Sequence, residues 1–333
     1  MSSLHILKLT IKIIFYNILS PGRYGMNEYY LNMVINDDCK NHLDCLDRKS
    51  IDLFLSDIPY GISINSWDVL HNNTNSGLLG CSPAQIGKSG FKRRGKPING
   101  WSQADRNIGK EYQDWCYGWS SLLFPIMKDG ASLFVFGARR TLHRVINAFE
   151  DSGFILRDVL AWKKVSAHHR AQRASNVFRK RGLEKEAREW EGWRLGNLAP
   201  IYEPIAWFFK PYRSTVTDNL LEYSVGAINI ESCKSNGLAP TNLLEFGFEK
   251  NEQRIHEAQK PISVVEFLIK LTTRENQVVL DPFMGSGTTA AACLKLKRNF
   301  IGFEINKDYF DKLVQRIEKL KNINKNLLRG QYD

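Results

Sequence analysis

The sequence predicts an α/β fold built on a mostly parallel sheet, and three observations predict it. Short apolar runs alternate with longer amphipathic segments along most of the chain, the order expected of strand–helix–strand units. One run, Val278-Val279-Leu280-Asp281, passes into a glycine-rich turn and then a helical stretch, as ligand-binding strand ends do. With 43% hydrophobic and 24% charged residues in 333, the chain has material for a core and the length of one large domain with insertions.

Taken in order, Ile51 to Ser56 is a buried strand ending in the turn Asp57-Ile58-Pro59-Tyr60. Residues 62–110 are polar and rich in Asn, Ser, Gly and Lys, which predicts a long inserted loop. A helical pattern over Trp115 to Met127 ends at the turn signal Lys128-Asp129-Gly130. A strand (131–136), a helix (140–151) and a strand (154–162) follow. Past a basic segment, Tyr202 to Phe209 reads as another strand, and 210–255 shows no strong period. Pro261 to Arg274 is an amphipathic helix with proline in its first turn. The chain then gives a strand (277–280), the glycine turn, a helix (286–296), a strand (299–303) and a long helix (306–322).

Met26-Asn-Glu-Tyr-Tyr reads as a fresh start, so residues 1–25 are expected to be an extension ahead of a domain over 26–333. The alternative is an edge strand or helix. The apolar stretch His5 to Leu19 is broken by Lys8 and Lys12 and is too short to span a bilayer. Six scattered cysteines form neither a C-x-x-C pair nor a Cys/His cluster, which predicts reduced thiols in a cytoplasmic protein and no metal site.

The net charge of +11 favours a polyanionic partner. Between Lys163 and Arg194 ten Lys/Arg face four Glu, more than half the net charge in about a tenth of the chain. Lys163, Lys164, Arg170, Arg173, Arg179, Lys180 and Arg181 are therefore candidate contacts to such a partner, with Trp190 and Trp193 interleaved. Lys92, Arg93 and Arg94, in the loop after the first turn, are candidates of the same kind. A solvated charged face is the ordinary alternative for both.

Two loops carry the chemistry. In Asp281-Pro282-Phe283-Met284-Gly285-Ser286-Gly287-Thr288-Thr289 an acid at a strand end precedes glycines that let a ligand approach the backbone. The loop lacks the lysine of a phosphate-binding P-loop and is too short for G-x-G-x-x-G. The next strand ends at Glu304, a carboxylate suited to ribose hydroxyls. In the second loop, Asp57 and the Ile58 carbonyl can accept the two hydrogens of a base amino group while Tyr60 stacks on its ring. Two fixed acceptors stabilise positive charge developing on a poorly nucleophilic nitrogen, so no covalent intermediate is needed.

Together these loops resemble the amino-methylating DNA methyltransferases of the beta arrangement, in which a D-P-P-Y loop precedes the cofactor loop. Two further segments support the resemblance. His256-Glu-Ala-Gln-Lys260-Pro261 is similar to the family's H-P-x-Q-K-P, and Asn36-Asp37-Asp38-Cys39 to its G-D-C turn. The resemblance runs from about residue 27 to 322 and implies a Rossmann-like fold with a seven-stranded sheet and circularly permuted motif order. It implies S-adenosylmethionine as cofactor. Asp281, Phe283, Gly285, Ser286, Gly287 and Thr288 would line its amino-acid end, Lys260 and Pro261 flank that end, and Glu304 hold the ribose. Asp38 and Cys39 would meet the adenine, while Asp57, Ile58, Pro59 and Tyr60 serve catalysis.

Ile58 departs from the family's first proline, and Asn36-Asp37 from its small residue and glycine. Members acting on cytosine N4 more often carry Ser in place of Asp57, so the expected reaction is methylation of adenine N6 in duplex DNA, with cytosine N4 the alternative. RNA and protein-amide methyltransferases with an N-P-P-Y-type loop place the cofactor loop first, and an inactive DNA-binding relative would not need Asp57 and Tyr60. The family's habits further imply target recognition within 210–255, and a cognate restriction endonuclease or a homodimer as partner.

Overall fold

A computed structural model describes residues 30–60, 103–167, 172–196, 198–249, 252 and 259–329. The expected extension at 1–25, most of the expected loop, Lys92, Arg93, Arg94, Arg170 and His256 lie outside the described residues.

The chain opens with β1 (Met33–Ile35), then β2 (Ile51–Asp57) and the long helix α1 (Gln103–Ile126). α1 begins inside the segment expected to be loop. Apolar spacing appears only from Ile108 and Tyr112 onward, so its first turns carry no period to read. β3 (Met127–Phe136), α2 (Leu142–Asp151) and β4 (Ile155–Lys163) follow. The turn signal at 128–130 proves to be an irregularity inside β3, where the register against β2 shifts and Gly130 takes φ +84°.

The basic segment folds as a small unit, with β5 (Gln172–Arg173) paired to β6 (Arg194–Leu195) around helices α3 (Ala174–Arg179) and α4 (Glu184–Glu189). Then come β7 (Tyr202–Phe209), α5 (Val216–Tyr223), β8 (Leu243–Glu245), α6 (Ile262–Thr272), β9 (Val278–Asp281), α7 (Thr288–Lys295), β10 (Asn299–Phe303) and α8 (Lys307–Arg329).

The main sheet runs β1-β10-β9-β2-β3-β7-β4-β8. β1 to β3 are parallel through β10, β9 and β2, while β7 runs antiparallel to both β3 and β4. Among the described residues the sheet has eight strands, not the expected seven. The three-residue edge strand β8 lies in the stretch without a period and is too short to announce itself.

Residues alternate across β2 with period two. Phe54 points to the face covered by Trp119 of α1 and Phe149 of α2, while Leu53 and Leu55 join Leu268 of α6, Cys293 of α7 and Leu313 of α8. Helices therefore cover both faces. The carboxyl ends of β1, β10, β9, β2 and β3 meet at one edge, where open α/β sheets bind ligands. Antiparallel β7 brings its first residues to that same edge, with Ile205 opposite Phe136. Among the described residues no helix is long and apolar enough to cross a membrane.

Candidate active site

A cleft of about 560 Å³ opens along this edge. Its walls come from the turn after β1, the end of β10, the loop after β9 and the end of β2, which are neighbours in the sheet. Three interstrand steps at about 4.8 Å give it a span of roughly 14 Å, suited to an elongated ligand.

The glycine loop forms the middle of the floor. Asp281, only 3% exposed, accepts hydrogen bonds from the Ser56 hydroxyl (2.6 Å), the Thr289 hydroxyl (2.6 Å) and the Phe283 amide (3.1 Å). Burial pushes its carboxyl up to about 6 against the pull of these donors. Phe283, Gly285, Ser286 and Thr288 also line the cleft. Gly287 does not. At φ +74° it stands just ahead of α7, where a Cβ would lie 3.2 Å from Cβ of Leu313.

At the next strand, the Glu304 carboxylate is fixed by two backbone donors, Gly285 N–H and Asn306 N–H, each at 2.8 Å. Both oxygens are oriented, with acceptor capacity left for hydroxyl donors. The turn after β1 is tied to this strand end, since Asn36 Nδ2 donates to the Glu304 carbonyl at 2.7 Å. Asp37 and Asp38 both reach the cleft. Asp37 is engaged with His42 at 2.9 Å, whereas Asp38 accepts from the Lys40 amide at 3.0 Å. Burial, reinforced by Asp38, pushes the Cys39 thiol up to about 12, so it stays protonated.

The Asp57 end is the most highly charged. Lys260 Nζ lies 2.5 Å from Asp57 Oδ2 and 3.4 Å from Glu203 Oε2, and Lys164 pairs with the other Glu203 oxygen. The Tyr60 hydroxyl donates to Glu203 Oε2 at 3.3 Å. Burial raises the Asp57 carboxyl, with Lys260 holding it back. Burial opposes charge on Lys260 too, but Asp57 and Glu203 outweigh it and the ammonium persists. Glu203 also resists burial, and Lys260 and Lys164 bring it down to about 2. Asp57 Oδ1 is buried and has no hydrogen-bond partner among the described residues.

The loop itself is held without the family's first proline. Ile58 is 1% exposed and packs into the core, the Tyr112 hydroxyl donates to the Pro59 carbonyl (2.7 Å), and the Thr141 hydroxyl to that of Tyr60 (3.0 Å). Pro59 and Lys260 line the cleft, while Pro261, buried at the N-terminal cap position of α6, does not.

The sequence reading missed Trp115, Trp119 and Glu203. Trp115 and Trp119 stand beside Phe283, with ring centroids 5.6 and 5.0 Å away. Their four-residue spacing on one helix face, with Tyr112 a turn earlier, was the available signal. For Glu203 the signal was an acid opening an otherwise apolar strand.

The basic residues divide. Lys164 faces the site, Lys163 pairs with Glu245, and Arg179 bonds Glu191 at 2.8 Å. Arg173, Lys180 and Arg181 are exposed on the small unit beside Trp190 (43% exposed) and Trp193 (61%).

The profile of a family described as DNA methylase matches residues 51–315. Type II methyltransferase M.HindIII of Haemophilus influenzae is 46% identical over 299 residues, spanning 88% of this chain and 97% of that protein. Among solved structures, PvuII DNA methyltransferase (cytosine-N4-specific) aligns with a TM-score of 0.53 at 18% identity, over 89% of this chain and 92% of that one. The M1.HpyAVI–SAM complex aligns at 0.51 and 21%, over 86% and 98%. At those identities the two structures speak for the fold alone. The profile match and the M.HindIII likeness cover most of the sequence, and the chain belongs to the amino-methylating DNA methyltransferases of the beta arrangement.

Proposed function

We propose that this DNA methyltransferase transfers a methyl group from S-adenosylmethionine to N6 of adenine in duplex DNA. The observation that carries the reading is Asp57 Oδ1, a buried acceptor without a partner among the described residues, on a carboxylate that lines the cleft. Such an atom costs about 1–3 kcal/mol unless a donor meets it, and a base amino group is such a donor. S-adenosylmethionine supplies the electrophilic methyl group when bound.

The chain's own residues do the rest. The fixed Glu304 carboxylate suits a ribose diol, and Trp115 and Phe283 give the cleft an apolar wall. Asp57 Oδ1 and the Ile58 carbonyl take the two amino hydrogens, so the nitrogen lone pair turns toward the methyl group. Tyr60 offers its ring to the base, which must leave the duplex stack at a cost of a few kcal/mol. Arg173, Lys180 and Arg181 lie on an exposed basic unit suited to phosphate contact. An aspartate in place of the serine commoner among cytosine-N4 enzymes supports adenine.

The test is expression in a methylation-free host, followed by sequencing of genomic DNA with detection of N6-methyladenine and N4-methylcytosine. One modified adenine motif, absent with Asp57→Ala, is the expected result. Modified cytosine would correct the base, and unmodified DNA beside soluble, cofactor-binding protein would refute the reading.

A further inference from the structure

Glu203 belongs to none of the four motifs, yet three polar groups of the Asp57 end converge on it. Lys164 meets one carboxylate oxygen, and Lys260 and the Tyr60 hydroxyl meet the other. Its side chain is 20% exposed and that of Lys260 only 6%. The Lys260 ammonium sits between two acids and lies 5.4 Å from the Tyr60 ring centroid.

This geometry matters for an acceptor. A buried ammonium facing Asp57 alone would commit its charge to that carboxylate and weaken it toward a second donor. A second acid on the other side divides the ammonium's field and leaves Asp57 with more negative potential. The same acid anchors the hydroxyl of Tyr60, whose backbone carbonyl Thr141 already holds, so the ring is fixed at both ends.

We propose that Glu203 is a positioning residue for methyl transfer, sharing Lys260 with Asp57 and anchoring Tyr60, so that acceptor and stacking surface are set by one carboxylate. The inference rests on the reading that the Asp57 loop receives a base amino group.

The experiment measures methyl transfer to duplex DNA between pH 5 and 9 for the full chain and for Glu203→Gln, with cofactor affinity and melting temperature alongside. For Glu203→Gln, kcat is expected to fall at least about tenfold while KM for DNA and cofactor stays within about twofold. Its acid limb moves to lower pH, because a neighbouring negative charge is gone and Lys260 pairs with Asp57 alone. Tyr60→Phe, which removes only the hydroxyl, lowers kcat by roughly two- to fivefold and adds less in combination with Glu203→Gln than alone.

A kcat and pH profile equal to the wild type's overturn the proposal. So does a loss shared by kcat, cofactor affinity and melting temperature with an unmoved acid limb, which marks a merely structural residue. If Glu203→Gln is insoluble, Tyr60→Phe decides, and an unchanged kcat there overturns it. Wild-type protein that binds cofactor and methylates no DNA refutes the underlying reading. An active wild type with an indifferent Glu203→Gln refutes only the role of Glu203.

Discussion

Lys260 Nζ and Asp57 Oδ2 lie 2.5 Å apart although 203 residues separate them in the chain. The contact joins the turn after β2 to the approach of α6, so two distant segments share one buried charge pair. Removing the cation leaves Asp57 in a site where burial already raises its carboxyl. In Lys260→Met that carboxyl titrates higher still, so the acid limb of transfer moves to higher pH and the rate at pH 7 falls at least about a hundredfold, with partial recovery toward pH 9. A pH–rate profile superimposable on the wild type's would show that the pair does not govern Asp57.

Glu304 is a second point where one residue does two jobs. It faces the cleft and holds the amide of Gly285. Glu304→Ala is expected to weaken cofactor affinity about tenfold or more, close to the loss of a charge-assisted hydrogen bond. Titration calorimetry reads this directly, and an unaltered Kd would remove Glu304 from the ribose role.

Gly287 tests the loop's backbone. With φ +74° and Leu313 close by, an alanine there meets both conformational and steric resistance. Gly287→Ala should destabilise the protein by about 1–2 kcal/mol. Chemical denaturation measures it, and a midpoint equal to the wild type's would mean that the turn readjusts freely.

Asp281 predicts a pH dependence of stability. Its carboxyl stands at about 6 in the fold against an ordinary 3.8, so the folded state holds a proton that the unfolded chain has lost. Stability from this group is therefore present below about pH 4 and lost as pH rises through 6, amounting to about 3 kcal/mol. Relative to wild type, Asp281→Asn should gain about that much between pH 4 and 7. A difference constant across that range would contradict the shift.

For the basic unit, Lys180→Ala and Arg181→Ala should each weaken DNA binding at all sequences and reduce the salt slope by about 1. Binding measured at several salt concentrations decides. Slopes identical to the wild type's would return both residues to the role of a solvated face.

Much of this is legible in the sequence alone. β2, β7, β9 and β10 are dense apolar runs bounded by turn residues, and their ends carry Asp57, Asp281 and Glu304. The glycine loop and the Asp57 loop announce themselves because tight turns restrict the residue types allowed. Glu203 was legible only as an acid at the start of an apolar strand, since its partners Lys164, Lys260 and Tyr60 come together only through strand order. β1 and β8, three residues each, are too short to show a period. The start of α1 was hidden because polar residues supply its first turns.

The permuted order of the sheet bears on how the nascent chain acquires its site. β2 and β3 emerge early, but β9, which covers the other edge of β2, comes more than two hundred residues later. At about 5–20 residues per second, roughly 10 to 45 s pass between synthesis of residue 57 and residue 281. For that interval the edge of a largely apolar strand has no β9 to pair with, which is the situation that invites strand-to-strand aggregation. Asp57 is thus made early and gains the floor of its cleft late, which makes the unpaired edge of β2 the place where a chaperone would act during synthesis.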